Sequence, residues 1–462
     1  MFALPPLLLL FFFIYVRPQE YYEFLRVIPW LHMLYGFTLL GYMVDVKLSL
    51  TRPKMPPHTP WIIAFVLWVI VATAIQAPQT LQGSIVEVGL FVLLGFLAGN
   101  AVQSLRALNK IAMMVTALIL ILASMTIYQS RQAPECIKAN QTAGDPTDRT
   151  GTPDGRWCER ASDCSPLDPG ATYYCERVGA MGTNTIYGRA RYRGILKDPN
   201  DLSLTMAIGL PLLIALMRQW PSRRLIGFTV GTAAVVLWAI LPTQSRGGQL
   251  VYLTVMGMHF LYRFGLKTSL IAGLPAAPLG LVLIVLKSSR ADADASSEER
   301  VLCQWNALRM LKENPITGVG YGQITEHFRL TAHNAYLLAP AELGIVGTVI
   351  WYGLAYVTFK TLIAARSAVK DKPEARAAKY WAEAMLASQV ALHIGIAFLS
   401  FCYHAVYWIY IGLVGAVYKA VQSHMPEWDV KFTRRDWGLL GALTSAMLGF
   451  WKLFIEFKYR RL

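Results

Sequence analysis

Apolar residues in this chain come in long blocks separated by short polar breaks, not in alternation with polar ones. Blocks of roughly 20 such residues suit helices that cross a bilayer. They predict spans near 2–16, 28–44, 60–76, 84–100, 111–128, 199–217, 225–241, 249–262, 268–286, 335–363, 383–401 and 404–420. That is an all-α, polytopic membrane protein with about 12 transmembrane helices. A further stretch, 437–454, fits either a span or an interfacial or re-entrant helix. The first block has no basic region before it and no small-x-small cleavage site after it, so it reads as a short span and not a signal peptide.

The blocks divide the chain into N-terminal helices over 1–128, a polar loop over 129–198, central helices over 199–286, a second loop over 287–334 and C-terminal helices over 335–462. Composition agrees. Hydrophobic residues make up 55% and charged residues 15%, with a mean hydropathy of +0.40. Soluble domains carry about 25% charged residues.

The net charge of +15 would point to nucleic acid on a soluble protein. Here its distribution reads as membrane topology, and no nucleic-acid partner is expected. With the N-terminus in the cytoplasm, the short inner loops hold Lys47, Arg52 and Lys54; Arg106 and Lys110; Arg218, Arg223 and Arg224; Arg263 and Lys267. The 364–382 loop adds Arg366, Lys370, Lys372, Arg376 and Lys379. The short outer loops 77–83 and 402–403 hold no Lys or Arg, and Arg17 and Arg26 are a minor exception. This is the positive-inside pattern. It conflicts with the basic tail Lys458, Arg460 and Arg461 if 437–454 spans. Both long loops then lie outside. Long loops escape the charge rule, and their many basic residues suit an anionic ligand.

The 129–198 loop is rich in Gly, Pro, Asp, Thr and Arg, and turns are expected throughout. Its four cysteines, Cys136, Cys158, Cys164 and Cys175, read as two disulfides in an oxidising compartment. Zinc is the competing reading, but no C-x-x-C pair is present. Four cysteines allow three pairings, and the spacing chooses none. Cys303 and Cys402 either pair or stay as buried thiols. Gly95-x-x-x-Gly99 and Gly227-x-x-x-Gly231 are spacings that let helices approach closely.

Three segments carry candidate chemistry. The first runs Arg189-Ala-Arg191-Tyr-Arg193-Gly194-Ile-Leu-Lys197-Asp198-Pro199-Asn200-Asp201 into a spanning helix. Asp198 or Asn200 can cap that helix, and Pro199 suits its first turn. The alternating arginines fit a solvated loop, lipid headgroups or a bound anion. The second is the short turn Thr243-Gln244-Ser245-Arg246-Gly247-Gly248. Arg246 is the one charge between Leu225 and His259. At such a depth it is expected to face a cavity or partner, unless it snorkels. The glycines let a ligand or another backbone come close.

The third begins with Ser297-Glu298-Glu299-Arg300 and an amphipathic run from Trp305 to Leu311. It continues through Asn314-Pro315-Ile316-Thr317-Gly318-Val319-Gly320-Tyr321-Gly322 to Ala332-His333-Asn334-Ala335-Tyr336. The glycine run lacks the Lys-Ser/Thr ending of a nucleotide loop and reads as flexible. His333, at the mouth of an apolar helix, is suited to proton exchange near neutral pH. A metal role is disfavoured because Leu337 stands at i+4. Glu342 lies nine residues on, about 180° around a straight helix, although a kink at Pro340 would alter this.

At this point the residues resemble a family. His333-Asn334, then Gly344-x-x-Gly347-Thr348 and Trp351, are similar to the His motif of bacterial O-antigen ligases. Trp351 stands one place before the usual position, which holds Tyr352. The Thr-x-Ser-Arg-Gly-Gly turn, the Arg-Gly before Asp-Pro-Asn, and Asn-Pro-x-x-Gly-Val-Gly also resemble that family and its clan. The likeness covers about 185–360.

The resemblance implies a GT-C-like, metal-independent, cofactor-free glycosyltransferase of the bacterial inner membrane. It implies transfer of an O-antigen-type glycan from undecaprenyl pyrophosphate to a hydroxyl of lipid A–core at the periplasmic face. Relatives polymerise O-antigen or glycosylate proteins. His333 would be the base, giving inversion. Arg246 and Arg193 would hold the pyrophosphate and support the leaving group. Arg191, Arg300, Asn334, Tyr321 and Ser245 would bind substrate. A lipid-linked sugar transporter should show repeat symmetry and midplane charges. A scaffold protein would leave Arg246 and His333 unexplained.

Overall fold

The computed structural model describes residues 1–53, 55–139, 151–168, 170–286 and 291–460, with only the backbone of 272–286 and 291–297. Lys54 and Arg461, used in the charge pattern, lie outside the described residues. So do 140–150 and 287–290 of the two long loops.

The helices in chain order are α1 (Leu4–Tyr15), α2 (Glu23–Arg26), α3 (Trp30–Lys47), α4 (Thr59–Gln76), α5 (Leu81–Asn100) and α6 (Leu105–Arg131). Strands β1 (Pro134–Ala139), β2 (Gly151–Trp157) and β3 (Tyr173–Arg177) follow. Then come α7 (Pro199–Gln219), α8 (Arg223–Thr243), α9 (Arg246–Leu286), α10 (Ala291–Glu313), α11 (Ile324–His327), α12 (Ala335–Ala368), α13 (Arg376–Gly395), α14 (Ala405–Gln422) and α15 (Arg434–Tyr459).

Among the described residues nine helices are long and apolar enough to cross a membrane, which makes this a polytopic membrane protein. About twelve were expected, and the differences have local causes. The first block forms α1, only 12 residues long. The second forms α3, whose His32, Asp45 and Lys47 dilute its hydropathy. The segments 249–262 and 268–286 fall within α9, interrupted at Gly265, where φ is 81°; α9 is not among the nine, and only the backbone of its residues 272–286 is described. The ambiguous stretch 437–454 lies inside α15, one of the nine.

The chain forms two compact units. One contains residues 1–7, 35–110 and 254–462. In it α14 is buried along its length, because α5 fits closely against it. A Cβ on Gly412 would lie 2.2 Å from Gly95 O, and one on Gly99 2.8 Å from Gly412 O. The Gly95-x-x-x-Gly99 spacing thus acts as expected. Gly227 and Gly231 differ: among the described residues no atom stands within 4 Å of a Cβ at either, so no described helix uses that spacing for close approach.

In the same unit α12 breaks at Gly344, where φ is 63°, not at Pro340. Four backbone groups freed there find partners from outside the helix. Val319 and Gly320 donate to the Ala341 and Glu342 carbonyls at 2.9 Å each. The Trp68 indole donates to Leu343 O at 2.8 Å, and the Ile345 N–H reaches Pro315 O at 2.8 Å. Pro340 has no N–H for the Tyr336 carbonyl four residues back, and the Tyr352 hydroxyl supplies that bond at 3.1 Å. Cys303 and Cys402 are both buried free thiols.

The second unit contains residues 8–34 and 111–253. Its first-loop region was expected to be turns in an all-α chain. It contains an antiparallel sheet of order β2-β1-β3. β2 includes Pro153 and Gly155, poor strand formers. The sheet is held by cystine: Cys136 bonds Cys164 and Cys158 bonds Cys175, and the sulfurs form a small buried cluster with Tyr173. With each sulfur bonded to another, no thiolate is left for zinc.

The two cross-links span 28 and 17 residues. Each should stabilise the module by about 3 kcal/mol through loop closure. Mass spectrometry of unreduced protein should find these two pairs. Replacing either pair by alanine should lower the thermal midpoint and leave transfer per folded molecule unchanged. Free thiols at all four positions would contradict the pairing.

Candidate functional site

In the second unit, the arginine run and the α8–α9 turn lie side by side. The Ala190 N–H donates to Pro242 O at 2.9 Å. The Arg189 guanidinium donates to Thr243 O at 3.0 Å and to Asn200 Oδ1 at 3.2 Å. Arg189 therefore ties the loop to the end of α8 and the start of α7. Asp198 is the cap of α7, accepting the Asn200 N–H at 2.7 Å, with Pro199 in the first turn as expected.

The turn itself is tight. Gln244 adopts φ 52°, and α9 starts two residues later. Ser245 is fully buried, and its hydroxyl accepts the Gly248 N–H at 2.9 Å, capping α9. A Cβ on Gly248 would lie 2.1 Å from Ser203 Oγ, so that glycine admits α7. Arg246 opens α9 with its side chain exposed. A cation at a helix N-terminus opposes the local dipole. The two together make a positive site that suits an anion.

Arg191 and Arg193 part company. Arg191 is 3% exposed. Its Nε donates to Asn184 O at 3.0 Å and its backbone N–H to Gln129 Oε1 at 2.9 Å, so it braces the loop. Arg193 is half-buried, with its guanidinium 5.4 Å from the Tyr21 ring centre. Burial pulls its pKa below the usual value, while Tyr192, Glu20 and Tyr21 favour the charge. An arginine remains cationic there. Tyr192 donates to Val16 O at 2.7 Å, and burial raises its hydroxyl to about 12. Gly194, at φ 55°, leaves room for Arg17, whose Cδ would be 2.8 Å from a Cβ.

Arg17 and Tyr21 thus belong to this neighbourhood, and hydropathy alone does not single them out. The available signal was Arg17 itself, out of step with the loop-charge pattern.

The other candidates belong to the first unit. The glycine run is not a slack loop. Gly318, Gly320 and Gly322 all have positive φ, at 65°, 98° and 71°. A Cβ on Gly318 would lie 2.3 Å from the Glu342 carbonyl carbon, and one on Gly344 2.1 Å from Ile316 O. The loop is clamped onto the break in α12. Glu342 is buried and accepts the Ile324 N–H at 3.3 Å. Tyr321 is buried, donates its N–H to Thr73 Oγ1 at 3.3 Å and packs edge-on to Tyr403 at 4.6 Å. Burial raises the Tyr321 hydroxyl well above its ordinary value, assisted by Glu87 and Glu342.

His333 precedes α12 with φ 48° and a partly exposed side chain. Its loop is pinned where the Thr331 hydroxyl meets Ser400 Oγ. Asn334 is fully buried and caps α12, its Oδ1 accepting the Tyr336 N–H at 2.9 Å. Trp351 is buried against Tyr336 and Tyr407. Arg300 is half-buried on α10, next to Glu299, which pairs with Arg329 at 2.6 Å.

Comparison with known proteins agrees with the residues. Residues 202–352 match the family model described as O-antigen ligase. The domain is shared by O-antigen ligases and polymerases, and its members are glycosyltransferases acting on lipid-linked glycans. Ser245, Arg246, Arg300, Tyr321, His333 and Asn334 fall inside the match, whereas Arg191 and Arg193 precede it. No curated protein matches the chain.

Proposed function

We propose that this protein transfers a finished glycan from undecaprenyl pyrophosphate to a hydroxyl of lipid A–core, as an inverting glycosyltransferase without metal or cofactor. The observation that carries this is the Arg189–Arg193 run laid against the Ser245–Arg246 turn, which lies within the stretch that matches the O-antigen ligase model. A lipid-linked donor brings an activated bond and a pyrophosphate that is already dianionic and gains a further negative charge as it leaves. Guanidinium groups bind such phosphates through paired hydrogen bonds.

In this reading Arg246 and Arg193 hold the pyrophosphate. His333 accepts the proton of the acceptor hydroxyl as that oxygen bonds to the anomeric carbon. The bond from that carbon to the phosphate oxygen breaks, and undecaprenyl pyrophosphate leaves with its electron pair. Arg191 and Ser245 brace the donor residues from behind. Asn334 sets the start of α12, beside His333. Arg300 and Tyr321 contribute to the acceptor side.

Ligase and polymerase differ only in acceptor. Deleting the gene and analysing surface glycan separates them. Loss of all polymer from lipid A–core supports the ligase. A single capped repeat would replace it with the polymerase.

The chemistry is assigned to the periplasmic face of a bacterial inner membrane, supported by the loop-charge pattern and by disulfides that need an oxidising compartment. Cysteines introduced at Thr152 and Glu313, both exposed, should react with an impermeant thiol reagent in intact spheroplasts. Labelling only after lysis would reverse the orientation and remove the carrier argument.

A further inference from the structure

The first unit holds a cavity of about 550 Å³, away from every residue assigned above. Its walls include Trp61 at the start of α4, Phe432 and Trp437 around the start of α15, and Ile350 and Val357 of α12. The three aromatic rings lie within 5.0–5.6 Å of one another. A Cβ on Gly353 would lie 2.0 Å from Trp61, so the indole rests on the α12 backbone. α4 and α15 are both candidate spans, and both begin here. The cavity therefore opens at a membrane boundary, where tryptophan is enriched.

The charges around the mouth do not cancel. Asp436 accepts from Lys360 at 2.7 Å and from the Tyr356 hydroxyl at 2.5 Å, so this pair is neutral as a unit. Asp429 accepts from the Tyr418 hydroxyl at 2.7 Å and from the Val430 N–H at 2.7 Å. Lys431 lines the cavity, and Arg434 and Arg435 lie in the chain between its lining residues Phe432 and Trp437; all three are exposed, and among the described residues none is in an ion pair. An apolar, aromatic-walled cavity thus sits beside three exposed cations and the single carboxylate of Asp429, which leaves a net positive charge at its mouth.

We infer that this cavity binds one anionic phospholipid of the surrounding bilayer, with acyl chain against Trp61 and Val357 and phosphate at Lys431, Arg434 and Arg435. A free anion would satisfy the cations and leave the apolar walls bare. A zwitterionic lipid would fill the walls and gain little from the cations. Near a membrane surface each basic residue adds attraction for anionic lipid. The site is independent of the transfer chemistry.

The test uses the full chain in detergent, with phosphatidylglycerol or phosphatidylcholine added and retained lipid read by native mass spectrometry. Phosphatidylglycerol should be retained at one molecule per chain, in preference to phosphatidylcholine. Combining Lys431→Glu, Arg434→Glu and Arg435→Glu should weaken it roughly a hundredfold. Acidic residues suit the first turn of a helix, so α15 should persist. Ala64→Phe, which fills the cavity without changing charge, should also abolish retention. Equal retention of both lipids would overturn the inference, as would undiminished phosphatidylglycerol in the triple variant or a protein co-purifying on this face instead.

Discussion

His333→Ala should leave the protein folded and the donor bound, while transfer falls by about 10²–10⁴-fold, the usual contribution of a general base. The structure separates chemistry from folding at this position. The helix start is secured by Asn334, not by His333. The histidine backbone sits at φ 48°, a left-handed conformation costing about 1–2 kcal/mol for most residues. Strain of this kind persists where function needs the side chain. His333→Gly relieves the backbone, so it should fold at least as well as the native protein and be equally inactive. Single-turnover transfer with pre-bound donor distinguishes the two roles. Near-normal transfer by either variant would make His333 a structural residue.

Arg246→Ala should lower transfer by about 10²–10³-fold, the typical cost of removing a donor aimed at developing charge. Arg246→Lys should fall between, since a lysine keeps the charge and loses the planar fork. The side chain is exposed, and Ser245 rather than Arg246 caps α9, so stability should hardly change. Removing a cation from a helix N-terminus should even favour the helix slightly. Arg193→Ala should also impair transfer. If both guanidinium groups grip one leaving group, the double variant should lose less than the product of the single losses. Full activity in Arg246→Ala would end the pyrophosphate assignment for this residue.

The parts legible in the sequence are those set by local chemistry. Eight of the expected spans and the ambiguous 437–454 stretch recur among the nine, because a long apolar run must become a helix to satisfy its backbone in lipid. Asp198-Pro199 marks a helix start because capping is a property of adjacent residues. The turn at Thr243–Gly248 and its close-packed glycine were similarly visible.

What was hidden depends on distant partners. Gly95 and Gly227 carry the same spacing, yet only Gly95 has a helix beside it. The glycines at 318, 320 and 322 looked flexible until the break at Gly344 showed what their loop is clamped to, with the Val319 and Gly320 N–H groups on the Ala341 and Glu342 carbonyls. The sheet escaped because disulfides, not alternating apolar residues, hold its strands. Arg191 and Arg193 look equivalent in sequence, and only the bonds to Gln129 and Asn184 separate brace from candidate ligand.

The most direct measurement is transfer in proteoliposomes containing the purified protein, an undecaprenyl-pyrophosphate-linked glycan and a lipid A–core acceptor, without added metal or nucleotide. The expected result is a glycosylated acceptor of inverted anomeric configuration, with undecaprenyl pyrophosphate released in equal amount and both products lowered together by about 10²–10⁴-fold with His333→Ala. Native protein that binds the lipid-linked donor and carries it across the bilayer without forming a glycosidic bond would contradict the account.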